Sequence, residues 1–420
     1  RERYYIEGYY YSSRYAETAR SIAAYEKVLE LDPEHPASRN NLAILLMRSD
    51  QLERAIAHLN VLRERGFEFP GAAGNLASAY VSSGKPDAAL AVLDEFIRTY
   101  PNVEAAHMYR GFTYLSADRL DEAAVAFEKA LATRPEFPPA MAGLAQAALL
   151  RDDFAGARAL VQPLVAHQAR NRRFIGTVHQ IYTLIYTGRT RDAITALERL
   201  AEGEGPDGSN ESAAARSLIA ELHLARGDRA AAGAAATRAV ADARGRVSVI
   251  DAYFQGSLAQ AAALRAGYQQ LADALPFGSD KELPRMADAI VAIEQGRYRE
   301  GDSAIQTVLP HLPPGPVGPG SVYPVRQPGT LGSYWSARAK LAAGNAGGAE
   351  TLFTSITGAG YRRLFTPIEY VRSHYYLGQI AERRGDTVRA REHYARFLRY
   401  WKDGDIDRDK VQGAIKKTTS

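Results

Sequence analysis

Two acidic stretches of this 420-residue chain carry residue types that bind metal ions in other proteins. Asp153-Phe154-Ala155 follows the aspartate–phenylalanine order of a metal-binding triplet in phosphoryl-transfer enzymes, but no glycine-rich phosphate loop or catalytic-loop motif accompanies it. Asp403 to Lys410 alternates acids as a calcium loop does, yet Arg408 and Ala414 stand where that loop needs glycine and glutamate. We therefore predict no metal site, and we interpret Phe154 as a core residue.

The other residue types that could do chemistry also lack a catalytic arrangement. The chain has no cysteine, which excludes thiol nucleophiles, cysteine-ligated metals and disulfides. Its nine histidines show no helical metal-binding spacing, and no serine lies in a nucleophile-elbow context. We predict no catalytic residue, no metal and no small-molecule cofactor. An enzyme whose site has no recognised motif stays a third alternative.

The charge balance argues against nucleic acid as the partner. The chain has 52 basic and 48 acidic residues, a formal net charge of +4, and basic residues that are spread along its length. The densest basic cluster, His167 to Arg173, is short, and we interpret it as a solvated loop between structural units. No apolar run approaches the roughly 18 residues that a membrane helix needs, and no signal peptide is visible.

The elements that position these residues recur with a period of 34 residues. Pro101 and Pro135 close similar segments 34 residues apart, and Pro33 precedes Pro101 by two such periods. One set of small residues recurs at intervals of 34 residues, with a first interval of 35, and a second set follows it by twelve residues. The first set is Gly8, Ala43, Ala77, Gly111 and Ala145, and the second is Ala55, Ala89, Ala123 and Ala157. Small residues let two antiparallel helices approach closely, and proline ends the second helix.

This pattern resembles the tetratricopeptide repeat. The likeness includes the small-residue pair, the turn glycine Gly84, the aromatic Phe127, and Tyr11, Tyr80 and Tyr114 three residues after the first small position. The resemblance implies an all-α fold, a right-handed α-solenoid of about ten helical hairpins. Later units centre on Ile181, Ala220, Ala289, Ala337 and Gly378.

Interruptions of the period suggest four segments. Residues 1–245 hold regular repeats, 246–309 divergent helical repeats, 310–332 a Pro/Gly-rich segment, and 333–420 the C-terminal repeats and a capping helix. The proline-rich segment is either a linker between two superhelical blocks or an ordered extended segment on the solenoid surface. We favour the second, because the repeats resume after it with the same spacing.

The register of the repeat also predicts which residues could meet a partner. Residues three before, one after and four after the small position lie on one helical stripe, which faces the concave groove of such an array. The predicted partner-binding residues are Tyr5, Tyr9, Asn40, Ile44, Met47, Met108, Phe112, Leu115 and Tyr182. Tyr4 and Tyr11 are predicted core residues.

The predicted groove is apolar and aromatic, which suits a peptide or a helix as ligand. Two alternatives stay open: the groove binds a protein or peptide partner, or the superhelix or its proline-rich segment fills the groove itself. The lysine–asparagine clamp by which some tetratricopeptide domains hold a carboxylate tail is absent, because Tyr5 and Tyr9 occupy its first-repeat positions.

Both ends of the chain resemble a narrower group. The opening "RERYYIEGYYYSSRY" and the closing "HYARFLRYWKDGDIDRDK" are similar to the repeat regions of bacterial eukaryotic-like serine/threonine kinases and related multidomain regulators, although Gly404 and Ile406 depart from the usual residues. No kinase motif is present in the chain. The resemblance implies a bacterial sensor or docking module. It favours a periplasmic or membrane-associated location over a cytoplasmic one. Membrane association would then occur through a missing N-terminal part or through a complex. The alternative function is a structural subunit that packs through its edges or termini.

Overall fold

The computed structural model describes residues 1–12, 17–66, 69–202, 210–243, 278–312 and 328–419. Throughout these ranges the regular elements are helices, and no β-strand is present. The predicted Pro/Gly-rich segment lies largely outside the described residues, as does the first half of the predicted divergent region. The all-α repeat solenoid expected from the sequence is confirmed.

The described residues divide into two compact units, the first ending at His179 and the second beginning at Gln180. The first unit holds α1 Glu2–Ser12, α2 Thr18–Leu31, α3 Pro36–Arg48, α4 Leu52–Glu64, α5 Pro70–Ser82, α6 Pro86–Thr99, α7 Glu104–Ser116, α8 Leu120–Thr133, α9 Pro138–Leu150 and α10 Phe154–Val165. Helix α11, Arg170–Tyr186, runs through the boundary.

The second unit continues the helical hairpins. It holds α12 Thr190–Glu202, α13 Asn210–Ala225, α14 Arg229–Ala243, α15 Gly278–Glu294, α16 Tyr298–Val308, α17 Pro328–Ala342, α18 Ala346–Thr357, α19 Pro367–Arg383, α20 Thr387–Trp401 and α21 Arg408–Thr419. Two short 3₁₀ segments, Leu309–His311 and Gly360–Phe365, follow α16 and α18.

Two hairpins show how an aromatic ring of the second helix seats against a small residue of the first. A Cβ added to Gly8 would lie 2.9 Å from the Tyr25 ring, and one added to Gly111 would lie 2.5 Å from the Phe127 ring. Tyr25 and Phe127 are fully buried as a result. Because a methyl group at either glycine would overlap the ring, the small residue of the repeat is a packing requirement.

The turn inside each hairpin adopts one backbone conformation throughout the described repeats. The residue seven positions after the small residue has a positive φ. Glycine occupies this position at Gly84, Gly188, Gly227, Gly296, Gly344 and Gly385, and aspartate occupies it at Asp50, Asp118 and Asp152. Glycine is favoured there because it has no Cβ to clash in the left-handed region, and aspartate is among the few other residues that tolerate it.

Candidate partner-binding face

Among the described residues, helix α1 contacts the first unit through one side. Gly8 faces the Tyr25 ring, and its carbonyl accepts a hydrogen bond of 2.6 Å from the buried Ser21 hydroxyl. Tyr5 packs beside Tyr25, with ring centres 6.0 Å apart, and beside His35 at 5.3 Å. This attachment leaves Tyr5 half-buried at the boundary between the core and solvent.

The opposite side of α1 carries a concentration of exposed apolar surface. Ile6, Tyr9 and Tyr10 are 66%, 68% and 51% exposed, which is unusual for large apolar side chains grouped on one helix. Of these, Tyr9 is the one that the repeat register predicted for the groove. The predicted core residues Tyr4 and Tyr11 are half-buried.

Helix α3 extends the accessible part of the predicted face. Ile44 and Met47 are half-buried, and Met47 packs against the core cluster that includes Leu42 and Leu46. Asn40 is instead buried, and its side-chain oxygen accepts a hydrogen bond of 2.8 Å from Asn75 on α5. Because that oxygen is already hydrogen-bonded, Asn40 links α3 to α5 and its oxygen is not available to a partner.

The other predicted groove residues are buried, which corrects their placement on an accessible surface. Phe112 is 1% exposed and packs edge-on against Phe127 with ring centres 5.0 Å apart. Leu115 and Met108 of the same helix are also buried, as is Tyr182 on α11. These side chains occupy the hairpin core or the packing between helices, so they are not accessible to a ligand in this structure.

The close approach of successive first helices explains this burial. Gly74 of α5 makes room for Tyr109 of α7, because a Cβ at Gly74 would lie 2.1 Å from that ring. Farther along, Gln146 of α9 donates to Nε2 of His179 on α11 at 3.1 Å, while Nδ1 of His179 donates to the Ile175 carbonyl at 2.9 Å. Burial lowers the pKa of His179 to about 4, so this imidazole is neutral.

The two acidic stretches serve packing in the described structure. The Asp153 carboxylate accepts a hydrogen bond of 2.8 Å from the Gly156 amide and caps α10, while Phe154 is half-buried. Asp405 accepts from the Arg191 amide at 3.0 Å and from Arg226 at 2.5 Å. Over the ranges that the structure describes, no group of three or more His, Asp or Glu side chains is placed to hold a metal.

Sequence reasoning missed the role of the loop between α20 and α21. In the second unit this loop lies against the start of α12 and the end of α13, although the Thr190 hydroxyl that donates to Asp405 is 215 residues away along the chain. Arg372 of α19 completes the contact by donating to Asp407 and to the Ala225 carbonyl. No local pattern could have revealed these partners, because Arg372 lies within α19 and Arg226 directly after α13, and neither arginine belongs to a recognisable motif.

None of the helices in the described part of the chain combines the length and the apolar character that crossing a bilayer requires.

Sequence models of the tetratricopeptide repeat match five stretches of the chain. One model matches residues 14–70 and 114–176, and another matches 75–136, 180–247 and 336–405. Together these stretches cover more than half of the chain. The chain belongs to the tetratricopeptide repeat family. No curated protein matches it significantly.

Solved structures of the same class are similar only at the level of the repeat. A tetratricopeptide repeat protein from Parabacteroides merdae has 17% identity and a TM-score of 0.42, over 57% of this chain and 92% of that one. The human IFIT1 dimer with m7Gppp-AAAA has 17% identity and a TM-score of 0.41, over 96% of this chain and 86% of that one. The APC/C hetero-tetramer Cut9–Hcn1 has 14% identity and a TM-score of 0.41, over 96% and 81%. At these values, ligand and partner do not transfer from one tetratricopeptide repeat protein to another.

Proposed function

We propose that this tetratricopeptide repeat protein is a non-catalytic interaction scaffold, and that a protein or peptide partner binds the exposed side of its first two hairpins. The binding face comprises Tyr5 and Tyr9 of α1 and Ile44 and Met47 of α3. The observation that carries the proposal is the exposure of Tyr9, 68%, at a register position whose counterparts on α7 and α11 are buried. Aromatic, branched aliphatic and methionine side chains supply large, adaptable contact area.

The face suits a short apolar peptide or an amphipathic helix. Its four side chains lie on the same register stripe of two successive first helices, so they present an extended surface and not an isolated point. Tyr5 and Met47 are also backed by the buried core, which keeps them ordered before a ligand arrives.

A defined peptide library displayed on phage tests this proposal even though the partner is unidentified. Peptides selected on the intact chain are measured against variants by fluorescence polarisation. We expect Tyr9→Ala and Ile44→Ala each to weaken binding about tenfold, the loss of roughly 1.4 kcal/mol of contact. Val388→Ala is the matched control, because Val388 is 67% exposed on α20, a helix of the second unit. Peptides that bind the Tyr9 and Ile44 variants as tightly as the native chain would contradict the proposal.

The second candidate function is a structural subunit that packs through the exposed side of α1. Ile6 and Tyr10 favour it, because they are exposed on α1 beside the proposed binding face. Ile6→Glu should then release the chain from its native complex in cell extracts separated by size, whereas Tyr9→Ala should leave the complex intact. The opposite pattern would favour the peptide-binding scaffold.

We further propose that the chain is the sensor or docking module of a larger bacterial regulator. This rests on the resemblance of its two ends to the repeat regions of such regulators. An antibody raised against the chain should detect, in the source cells, a polypeptide well above 45.8 kDa. A band at 45.8 kDa would refute the module, while leaving the peptide-binding test unaffected.

A further inference from the structure

Arg338 lies in the second unit and forms no ion pair with a carboxylate of the described residues. It lies on α17, one residue after the small residue Ala337, and its guanidinium stacks 4.6 Å from the centre of the Trp335 ring. Its side chain is half-buried, and burial desolvates the charge. Within the described part of the chain, the stacking on Trp335 is its only close contact of a polar or charged kind.

Two other arginines that pack inside the second unit have carboxylate partners, whereas the buried Arg363 donates to the Tyr370 and Tyr400 hydroxyls. Arg372 donates to Asp407 at 2.7 Å, and Arg226 donates to Asp405 at 2.5 Å. Desolvating a guanidinium is costly unless an anion or several acceptors replace the lost water. Arg338 has no such anion among the described residues, and its cation–π contact with Trp335 offsets part of the desolvation.

The acid that acts on Arg338 is already engaged with another arginine. Arg372 is neutralised by Asp407, and Glu294, the carboxylate that attracts Arg338, is already paired with Arg229 at 2.7 Å. No further acid among the described residues balances Arg338 at close range. An incoming anion would therefore meet attraction from this guanidinium and little opposing charge.

A hydroxyl without a partner accompanies the arginine. Tyr334 is 2% exposed, and its buried hydroxyl forms no hydrogen bond. Tyr334 precedes Arg338 by four residues on α17, so the two side chains lie on the same face of the helix. Its ring packs against Trp335 and Tyr376 at 6.2 and 6.3 Å, which places it in the same aromatic wall. A buried hydroxyl without a partner is uncommon, because it loses hydrogen bonds to water and gains none.

We propose that Arg338, Trp335 and Tyr334 form a binding site for an oxyanion, the carboxylate or phosphate group of a small ligand. Trp335 covers one face of the guanidinium, so the N–H groups in its plane stay free to donate two parallel bonds to one oxyanion. The Tyr334 hydroxyl is the additional donor. This site is independent of the face on α1 and α3, and neither proposal depends on the other.

The tryptophans make the site directly measurable, since the chain has only two and one of them is Trp335. The intact chain is titrated with inorganic phosphate and separately with acetate, at an ionic strength kept constant with chloride. We expect a saturable change in tryptophan fluorescence and a concentration-dependent rise in Tm with at least one of the two ions. The ion that saturates at lower concentration identifies the ligand class. No saturable response to either ion would overturn the proposal.

Variants assign the response to named side chains. Arg338→Gln should weaken binding by about tenfold or more, which is the usual effect of losing a charge-assisted bidentate pair. Arg338→Lys should fall between the native chain and Arg338→Gln, because lysine keeps the charge and loses the fork. Trp335→Phe should abolish the fluorescence change and keep the rise in Tm. Arg391→Gln is the control, since Arg391 is exposed on α20 and should bind as the native chain does.

Tyr334→Phe keeps the proposal testable if Arg338→Gln does not fold. This change removes only the unsatisfied hydroxyl, so the variant should fold at least as well as the native chain. Anion binding by Tyr334→Phe should weaken severalfold. Two outcomes would show that the anion does not occupy this site. One is native-like binding by Arg338→Gln. The other is native-like binding by both Arg338→Lys and Tyr334→Phe.

Discussion

Arg372 and Asp407 form a two-pronged ion pair inside the second unit. The Nε atom of Arg372 donates to Asp407 at 2.7 Å and its Nη2 atom at 3.1 Å, and their side chains are only 14% and 8% exposed. The same Nη2 atom donates to the Ala225 carbonyl at 2.6 Å. The pair thereby joins α19, the loop before α21 and the end of α13.

Asp407→Asn should destabilise the second unit by about 3 kcal/mol, because removing one member of a buried pair leaves the other charge without compensation. Urea unfolding followed by circular dichroism measures the change. Asp403→Asn is the control, since Asp403 lies exposed in the same loop. Equal stability of the two variants would show that the ion pair adds nothing to the docking of the loop.

Acid should weaken the same contact. Burial alone would raise the pKa of Asp407, but the Arg372 guanidinium and Lys410 hold it below its ordinary value. Because the folded pKa is lowered, the stabilisation is complete above the unfolded value of about 3.9 and is lost as pH falls below it. Native chain and Asp407→Asn should therefore converge in unfolding free energy as pH falls below about 3.9. A difference that stays constant well below that pH would contradict this account.

His179 should make the first unit sensitive to mild acid. Burial lowers its pKa to about 4, so an unfolded chain with an ordinary imidazole pKa of about 6.5 binds a proton that the folded chain does not bind. Stability should therefore fall as pH decreases from about 6.5 to about 4, by on the order of 3 kcal/mol. Unfolding curves at about pH 7 and about pH 4.5 measure this loss, and His179→Gln should reduce it. An unchanged pH dependence in that variant would rule His179 out as the cause.

The turn position predicts a rank order of stabilities at Gly84. A Cβ at Gly84 would meet no atom within 4 Å, so substitution there changes backbone strain and little else. Gly84→Ala should cost about 1 kcal/mol, and Gly84→Asp should cost less, because aspartate tolerates the left-handed region. Asp50→Gly is the reciprocal change and should be neutral or stabilising. Tm measurements that rank alanine above aspartate at position 84 would contradict the backbone explanation.

The Phe127 ring packs against Gly111 and Gly143, and its size should limit which residues can replace either glycine. A Cβ at Gly111 would approach the ring to 2.5 Å, and one at Gly143 to 2.2 Å. Gly111→Ala should cost about 1–3 kcal/mol through overpacking. Phe127→Leu in the same chain should recover part of that loss, because the smaller side chain frees the space, and the coupling is read from a double-mutant cycle of unfolding free energies. Purely additive losses would show that the methyl group does not meet the ring.

The sequence by itself determined the repeating unit of this protein. The 34-residue period predicted the helical hairpins, and Gly8 and Phe127 take the packing positions that the period assigns to them. These features are local, because the two helices of a hairpin are adjacent in the chain and their contacts follow from spacing alone. The period also locates the turns occupied by Asp50 and Asp118, although aspartate gives a weaker signal than glycine.

Tertiary structure decided which side chains remain accessible. Phe112 and Tyr9 hold the same register position, yet Phe112 is 1% exposed and Tyr9 is 68% exposed. The difference arises because neighbouring helices enclose Phe112, whereas the described neighbours of α1 contact it through one side. The docking of Asp405 on Thr190 was equally beyond the sequence, because it depends on the summed geometry of many hairpins. A periodic pattern describes each repeat and its neighbour, and it contains no information on contacts between residues that are many repeats apart.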